Sequence, residues 1–278
     1  MTYLKFDPCS SLLPFVECYF IWESGDEPVH DLVVESPPSG FCSIVFNCGD
    51  GYHLQNKKYE RLQVPGQFVS GQSIYSYKLF LNGNISLAGI VFKPAGLATL
   101  FDLPVYEYTE ERIDLNLVFK PAIVANTMSQ LKSLKEPKEK AKVLETFLLE
   151  QYHHHKPHPD FIDEGANLIV KKNGILNVNE LLENIYMSRR NFERRFFKKV
   201  GLSPKYYARI RRMSYLMLLI TGRKKVDWAD VLNDCGFYDQ SHFIKDFMEF
   251  TGRTPQQYLE ENQELIHHVT RPKQQPLS

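Results

Sequence analysis

Apolar and polar positions change rhythm twice along this chain. Up to about Asn116 the apolar residues come in short runs rich in aromatic and β-branched side chains: Phe41 to Phe46, Phe68-Val69, Tyr75 to Leu81 and Ile85 to Phe92. Turn chemistry bounds each run, at Pro37 to Gly40, Asn47 to Gly51, Pro65-Gly66 and Asn82-Gly83-Asn84. Short, closely spaced strands predict a sandwich or small barrel, and Asn82-Gly83 predicts a hairpin. From about Leu117 the segments are longer, rich in Lys and Glu, and helical in pattern, as in Ala141 to Tyr152. The run His153-His154-His155-Lys156-Pro157-His158-Pro159 then stops the helix, because two prolines in three residues make a stiff, extended connector.

Beyond the connector nearly everything has helical spacing, and the chain repeats itself at an offset of 51 residues. Leu181 matches Leu232, Phe192 matches Phe243, Phe196 matches Phe247, Gly201 matches Gly252, Pro204 matches Pro255 and Tyr207 matches Tyr258. Each copy reads as a short helix, a turn, a second helix, a glycine stop and a Ser/Thr-Pro helix start. The first copy has a helix over Val178 to Asn184, a turn through Ile185-Tyr186-Met187 and a second helix opened by Ser188. In that second helix Phe192, Phe196 and Val200 recur every four residues. At 100° per residue Arg190, Asn191, Arg194 and Lys198 fall on the opposite face. The second copy has a helix over Trp228 to Asp234, a turn at Gly236-Phe237 and a helix from Asp239 that presents Gln240, Ser241, His242 and Lys245.

A cationic, amide-bearing helix face backed by phenylalanine has the chemistry to enter a DNA major groove. Between the copies a long helix over Pro204 to Thr221 carries Tyr206, Ile210, Met213, Met217 and Ile220 on one side and Arg209, Arg211 and Arg212 on the other. Such a spacer can present both second helices to successive groove segments about 34 Å apart.

Charge supports this division. The whole chain is formally neutral, but residues 1–150 hold 13 Lys/Arg against 18 Asp/Glu, whereas residues 186–225 hold 13 Lys/Arg against the single acid Glu193. Segregated charge of this kind is the footprint of a polyanionic partner, here double-stranded DNA. The pattern predicts an α+β, two-domain chain. An N-terminal β-rich sandwich or barrel, cupin-like and with trailing helices, spans 1–152. A linker follows at 153–160, then an all-α domain with two helix-turn-helix units at 161–265 and a tail at 266–278.

The segment Ser188-Arg-Arg-Asn-Phe-Glu-Arg-Arg-Phe-Phe-Lys-Lys-Val-Gly201 is followed by Ser203-Pro204, Arg211, Leu218-Leu219, Gly236-Phe237, Ser241, Phe243, Phe247, Gly252 and Pro255. In this joint spacing the chain, over about Phe161 to Asn262, resembles the AraC/XylS family of bacterial transcription regulators. The resemblance implies a seven-helix DNA-binding domain that usually activates transcription through contact with RNA polymerase. The run Phe92 to Phe101 with Leu103-Pro104 is similar, more loosely, to the N-terminal domain of some members. By resemblance and face geometry, Arg190 and Arg194 are expected at base edges, with Gln240, Ser241, His242 and Lys245 as their counterparts. Asn191, Lys198, Lys205 and the amides at the Ser203 and Thr254 helix starts are expected at phosphates. Leu182, Leu232 and Tyr215 replace usual alanines, and Phe197 replaces a usual lysine, which either removes a phosphate contact or adds one to a thymine methyl. Asp239 and Asp246 make the second unit less basic than the first, so the first is expected to supply most of the affinity.

For residues 1–150 three classes compete. A metal-dependent cupin or other enzyme needs clustered His and carboxylate ligands, yet only His30 and His53 precede the linker, and no GxSxG, HExxH, P-loop or GxGxxG occurs. The expectation is a non-enzyme without cofactor or metal, the His tract serving as linker. The second class encloses a small-molecule effector; the third is ligand-independent and serves only dimerisation or protein interaction. Phe41, Phe46, Phe68, Tyr75, Tyr77, Phe80 and Phe92 suit a pocket and an ordinary core equally, with core favoured for most. Lys132 to Ala141 and Leu144 to Leu149 are the expected homodimer surface. Five scattered cysteines without CxxC argue against a disulfide framework or a zinc site. Leu12 to Trp22, interrupted by Pro14 and Glu17, is too short to cross a bilayer. A cytoplasmic chain without membrane contact is the expectation.

Overall fold

The computed structural model describes residues 1–155, 157–182, 187–223, 225–261 and 273–277. The turn residues Ile185 and Tyr186, Lys156 of the connector and much of the tail lie outside them.

The amino-terminal part is a sandwich of two sheets. The larger sheet takes strands β1 (Thr2–Phe6), β2 (Val16–Glu23), β4 (Ser43–Asn47), β7 (Gln67–Ser70), β9 (Ser86–Phe92), β10 (Ile113–Asp114) and β11 (Lys273–Gln275), in the order β10-β7-β4-β9-β2-β1-β11. The smaller takes β3 (Val29–Ser36), β5 (His53–Asn56), β6 (Leu62–Gln63) and β8 (Tyr77–Gly83), in the order β3-β8-β5-β6. All pairs are antiparallel except β1 with β11, which lies in the predicted tail.

Alternation along the larger sheet sends side chains to two separate cores. One face, with Trp22, Val45, Phe68 and Leu87, packs on Val34, Leu54 and Leu81 of the smaller sheet and on Tyr52 just before β5. The other, with Tyr19, Ile44, Phe46, Ile90 and Phe92, packs on helices α1 (Gly96–Phe101), α2 (Pro121–Ser133) and α3 (Pro137–His155).

Three expectations need correction. Asn82 and Gly83 are the last residues of β8, with Gly83 at φ +86° and paired with Val29. Strands β8 and β9 belong to different sheets, so the connection through Asn84-Ile85 is a crossover and not a hairpin. Asp50 fixes the crossover by accepting the Asn84 amide at 2.7 Å, a contact outside the reach of a local turn rule. Helix α3 begins at Pro137, four residues before the predicted start, and runs to His155, with Pro157 next to enforce a stop. Leu144, Phe147 and Leu148, placed by the sequence at a dimer surface, are buried against the larger sheet. Their apolar face is consumed within the chain.

The carboxyl-terminal part is helical: α4 (Phe161–Lys171), α5 (Val178–Leu182), α6 (Arg189–Val200), α7 (Pro204–Ile220), α8 (Trp228–Asp234), α9 (Gln240–Thr251) and α10 (Pro255–Glu261). The punctuation is as the sequence predicts. Ser188 and Ser203 cap α6 and α7, and Gly201 and Gly252 end α6 and α9 in the left-handed conformation. Asp160 and Asp163 form a reciprocal capping box on α4. Phe192, Phe196, Val200, Phe243 and Phe247 are buried in one core with Ile210, Met213 and Met217 of α7. Ile74 and Ala95 of the sandwich join that core, so the two parts are packed together.

Candidate nucleic-acid interface

Helix α6 exists because its phenylalanine stripe is buried, and the burial fixes what points outward. Arg190, Arg194, Arg195 and Lys198 are exposed and Asn191 is half-buried. Asn191, Arg194, Arg195 and Lys198 line one shallow concavity, in which Arg194 Nη2 donates to Asn191 Oδ1 at 3.1 Å. Arg195 was missed by the sequence reading, although its exposure follows from the same face; its guanidinium lies 4.7 Å from the Phe161 ring centroid. Arg190 is not part of the concavity but is exposed one turn before Arg194. Glu193 is paired with Arg189 at 2.9 Å, which removes its charge from the cationic row. Lys199 is turned inward to Asp160 at 3.0 Å and Asp163 at 2.7 Å, pinning α6 to α4.

Lys205 is exposed on the first turn of α7. The Thr254 amide is a different matter: it donates to Gln257 Oε1 at 2.9 Å, so the chain itself occupies this expected phosphate donor.

In the second unit Gln240, Ser241, His242 and Lys245 are all exposed along α9. The two aspartates that weaken its basic character have structural work. Asp239 caps the helix, accepting the Ser241 amide at 2.8 Å. Asp246 is buried and faces α7, where Arg209 meets it at 2.6 Å and Arg212 at 3.5 Å. Burial opposes the Arg209 charge, but hydrogen bonds to Asp246 and Glu249 outweigh it and raise the guanidinium's pKa above its ordinary value. Arg211 reaches the sandwich, donating to the Ser39 carbonyl and lying 4.4 Å from the Phe41 ring centroid. Arg209 and Arg212 therefore tie the linking helix to α9 and Arg211 ties it to the sandwich, so these cations are not the free polar face that periodicity suggested. Tyr238, just before the cap, is fully exposed at 104% and drew no attention in the sequence.

Phe197 stacks on Tyr106 of the sandwich with ring centroids 5.6 Å apart and planes 27° from parallel. Its departure from the usual lysine thus has a contact inside the chain, one that neither sequence alternative included.

Between the two sheets lies a cavity of about 290 Å³, whose aromatic lining includes Tyr3, Trp22, Phe41, Tyr52, Phe68 and Tyr77. The buried Trp22 indole N–H has no hydrogen-bond partner among the described residues. The Arg112 guanidinium lies on this lining, 5.9 Å from the Phe68 ring centroid and 5.5 Å from that of Tyr77. The aromatics that the sequence grouped together divide: Phe46 and Phe92 are core, Phe41, Phe68 and Tyr77 line the cavity, Tyr75 packs on the helical domain, and Phe80 is 41% exposed. Among the described residues no group of His, Cys, Asp and Glu is placed to hold a metal, and no helix is long and apolar enough to cross a membrane. All five cysteines are free thiols, and burial pushes Cys18 and Cys235 up to about 11.

Two helix-turn-helix units on a shared spacer define a DNA-binding regulator. Residues 181–261 match the family described as a helix-turn-helix domain. Residues 4–114 match a domain of unknown function, DUF6597. No curated protein matches the chain. Similar solved structures include ToxT from Vibrio cholerae, at 12% identity and TM-score 0.45, covering 87% of this chain and 98% of that one. ToxT bound to (E)-4-(8-methylnaphthalen-1-yl)but-3-enoic acid is similar at 12% identity and TM-score 0.44, covering 94% and 99%. ToxT bound to an unsaturated fatty acid is similar at 12% identity and TM-score 0.42, covering 93% of each chain.

Proposed function

We propose that the chain regulates transcription by reading duplex DNA with α6 and α9, under the control of a small molecule held in the sandwich cavity. Arg190 and Arg194 read base edges, and Asn191, Lys198 and Lys205 hold phosphates, with Arg195 beside them. Gln240, Ser241, His242 and Lys245 make the weaker second reading. The observation that carries this is the exposed row Arg190, Arg194, Arg195 and Lys198 on a helix whose other side is fully buried. Among the described residues no acid forms an ion pair with Arg190, Arg194, Arg195 or Lys198, and such a polycationic face is built for an external polyanion.

The effector reading rests on the cavity. Its size and aromatic walls suit a small, mostly apolar molecule, and Arg112 and the Trp22 N–H supply two polar anchors. That favours a ligand-responsive sensor over a domain serving only dimerisation. Contact with RNA polymerase and a homodimer remain part of the proposal through the family resemblance. The division into sensor 1–152, connector 153–160, reader 161–265 and tail 266–278 also belongs to it.

The test is selection of duplexes from a random library by the full chain, followed by affinity measurements across salt. A selected site bound far more tightly than random duplex supports the reading. Equal binding to both, or none at low salt, overturns it.

A further inference from the structure

The wall of the cavity and the seat of the second reader unit are made by the same two loops. Ser39 and Phe41 line the cavity, and their far sides carry α7: Arg211 lies on the Phe41 ring, and Tyr207 Oη donates to the Gly40 carbonyl at 2.8 Å. Gly40, at φ +63°, is pressed onto that helix so closely that a Cβ would sit 3.1 Å from both Arg211 and Tyr207. Ser73 lines the cavity from the second loop, and its carbonyl accepts the Gly40 amide at 3.2 Å, tying the loops together. One residue on, Ile74 enters the helical core, and the Ser76 amide donates to the Phe250 carbonyl of α9 at 2.8 Å. Buried Glu110 braces this loop by accepting the Ile74 and Tyr75 amides.

The first unit is seated elsewhere. Helix α6 rests on α1 and on the turn Val105–Tyr108, through Phe197 on Tyr106, and neither of those segments lines the cavity. A displacement of the cavity wall at Phe41 therefore meets α7 directly, and loop 73–76 carries it to α9, whereas α6 is met through α7 and through the Gly71 amide on the Tyr108 carbonyl.

We propose that loops 36–41 and 73–76 are a shared partition that converts occupancy of the cavity into a change in the placement of the second reader unit relative to the first, with Arg211 on Phe41 as the sensing contact. This rests on the reading of the cavity as an effector site and of α6 and α9 as DNA readers. A close-packed partition has nowhere to absorb a displaced ring, so the motion passes to whatever is packed behind it. The device acts on the spacing between two half-sites, not on the grip of the first.

The experiment fills the cavity without a ligand. Ser43, the first residue of β4, lines it two residues from Phe41, and Val91, which also lines it, faces Ser43 in the register of β4 and β9. Ser43→Phe and Val91→Phe are made in the full chain, each checked for a cooperative thermal transition. Affinities are measured for the selected duplex and for a duplex keeping only the half-site read by α6. A filled cavity is expected to change affinity for the intact site at least fivefold and for the half-site less than twofold. In an Arg211→Met background the same filling is expected to change the intact-site affinity less than twofold. Arg211→Met alone, which needs no filled cavity, is expected to alter intact-site affinity and spare the half-site. Equal changes on both duplexes, no change on either, or a filling effect that survives Arg211→Met overturns the partition. The DNA-reading conclusion falls separately, if the unaltered chain fails to distinguish the selected duplex from random DNA.

Discussion

Arg209 Nη2 lies 2.6 Å from Asp246 Oδ1, joining the linking helix to the second reader helix through a carboxylate that is only 7% exposed. With Arg212 on the other oxygen, one buried acid holds two cations. Removing one partner of a buried pair leaves uncompensated charge, which typically costs about 3–5 kcal/mol. Asp246→Ala is therefore expected to lower unfolding stability by about 3 kcal/mol, read in denaturant titrations of the full chain. Asp246→Asn, which keeps an acceptor, should cost less. A change below about 0.5 kcal/mol for the alanine variant, the level of a surface substitution, would show that the pair is dispensable.

Arg194 and Lys198 separate two kinds of DNA contact. Arg194→Ala is expected to cost about 1–3 kcal/mol on the selected site and to relax its sequence preference. Lys198→Ala should weaken all duplexes alike and reduce the slope of log affinity against log salt by about one. Affinity titrations on selected and random duplexes across salt read both effects. Equal losses on both duplexes for both variants would contradict the division of roles.

What the sequence made legible was whatever depends on local spacing. The glycine stops at 201 and 252 and the Ser188 and Ser203 caps are each readable within one turn of helix, the offset of 51 residues repeats them, and all reappear. Periodicity also assigned Phe192 and Phe196 inward and Arg190 and Arg194 outward. It could not say what an outward face meets. Arg209, Arg211 and Arg212 share a polar side in sequence, yet their partners are Asp246 and Ser39, 37 and 172 residues from Arg209 and Arg211 respectively. Phe41 and Phe92 are equally aromatic and equally strand-like. Only the division of the larger sheet's two faces makes one a cavity wall and the other core.

Glu249 gives the linking helix an acid-sensitive hold on the second unit. Burial raises its pKa, but hydrogen bonds from Tyr206 at 2.7 Å and from Arg209 outweigh burial and bring it below the ordinary Glu value. A carboxyl depressed in the folded state adds stability that is present above the unfolded-state pKa and is lost as pH falls through the folded value. The Tm difference between the wild type and Glu249→Gln should be largest near pH 6 and shrink once pH falls below about 4, where unfolded Glu protonates. A difference that stays constant from pH 6 to pH 3 would mean that the contact does not depend on its charge.

The stacking of Phe197 on Tyr106 distinguishes a domain contact from a DNA contact. The rings are 47% and 40% exposed, so the pair sits at the rim of the domain interface, where an aromatic pair contributes about 0.5–1.5 kcal/mol beyond buried area. If the pair acts within the chain, Phe197→Ala and Tyr106→Ala should lower stability by similar amounts. The double variant should then fall short of their sum by about that coupling. A thymine-methyl contact would behave differently: Phe197→Ala would weaken DNA binding by itself, Tyr106→Ala would not, and the two stability losses would add. Thermal unfolding and duplex affinity measured on the same four proteins decide between these outcomes. The geometry favours coupling in stability, because each ring supplies the flat face on which the other rests.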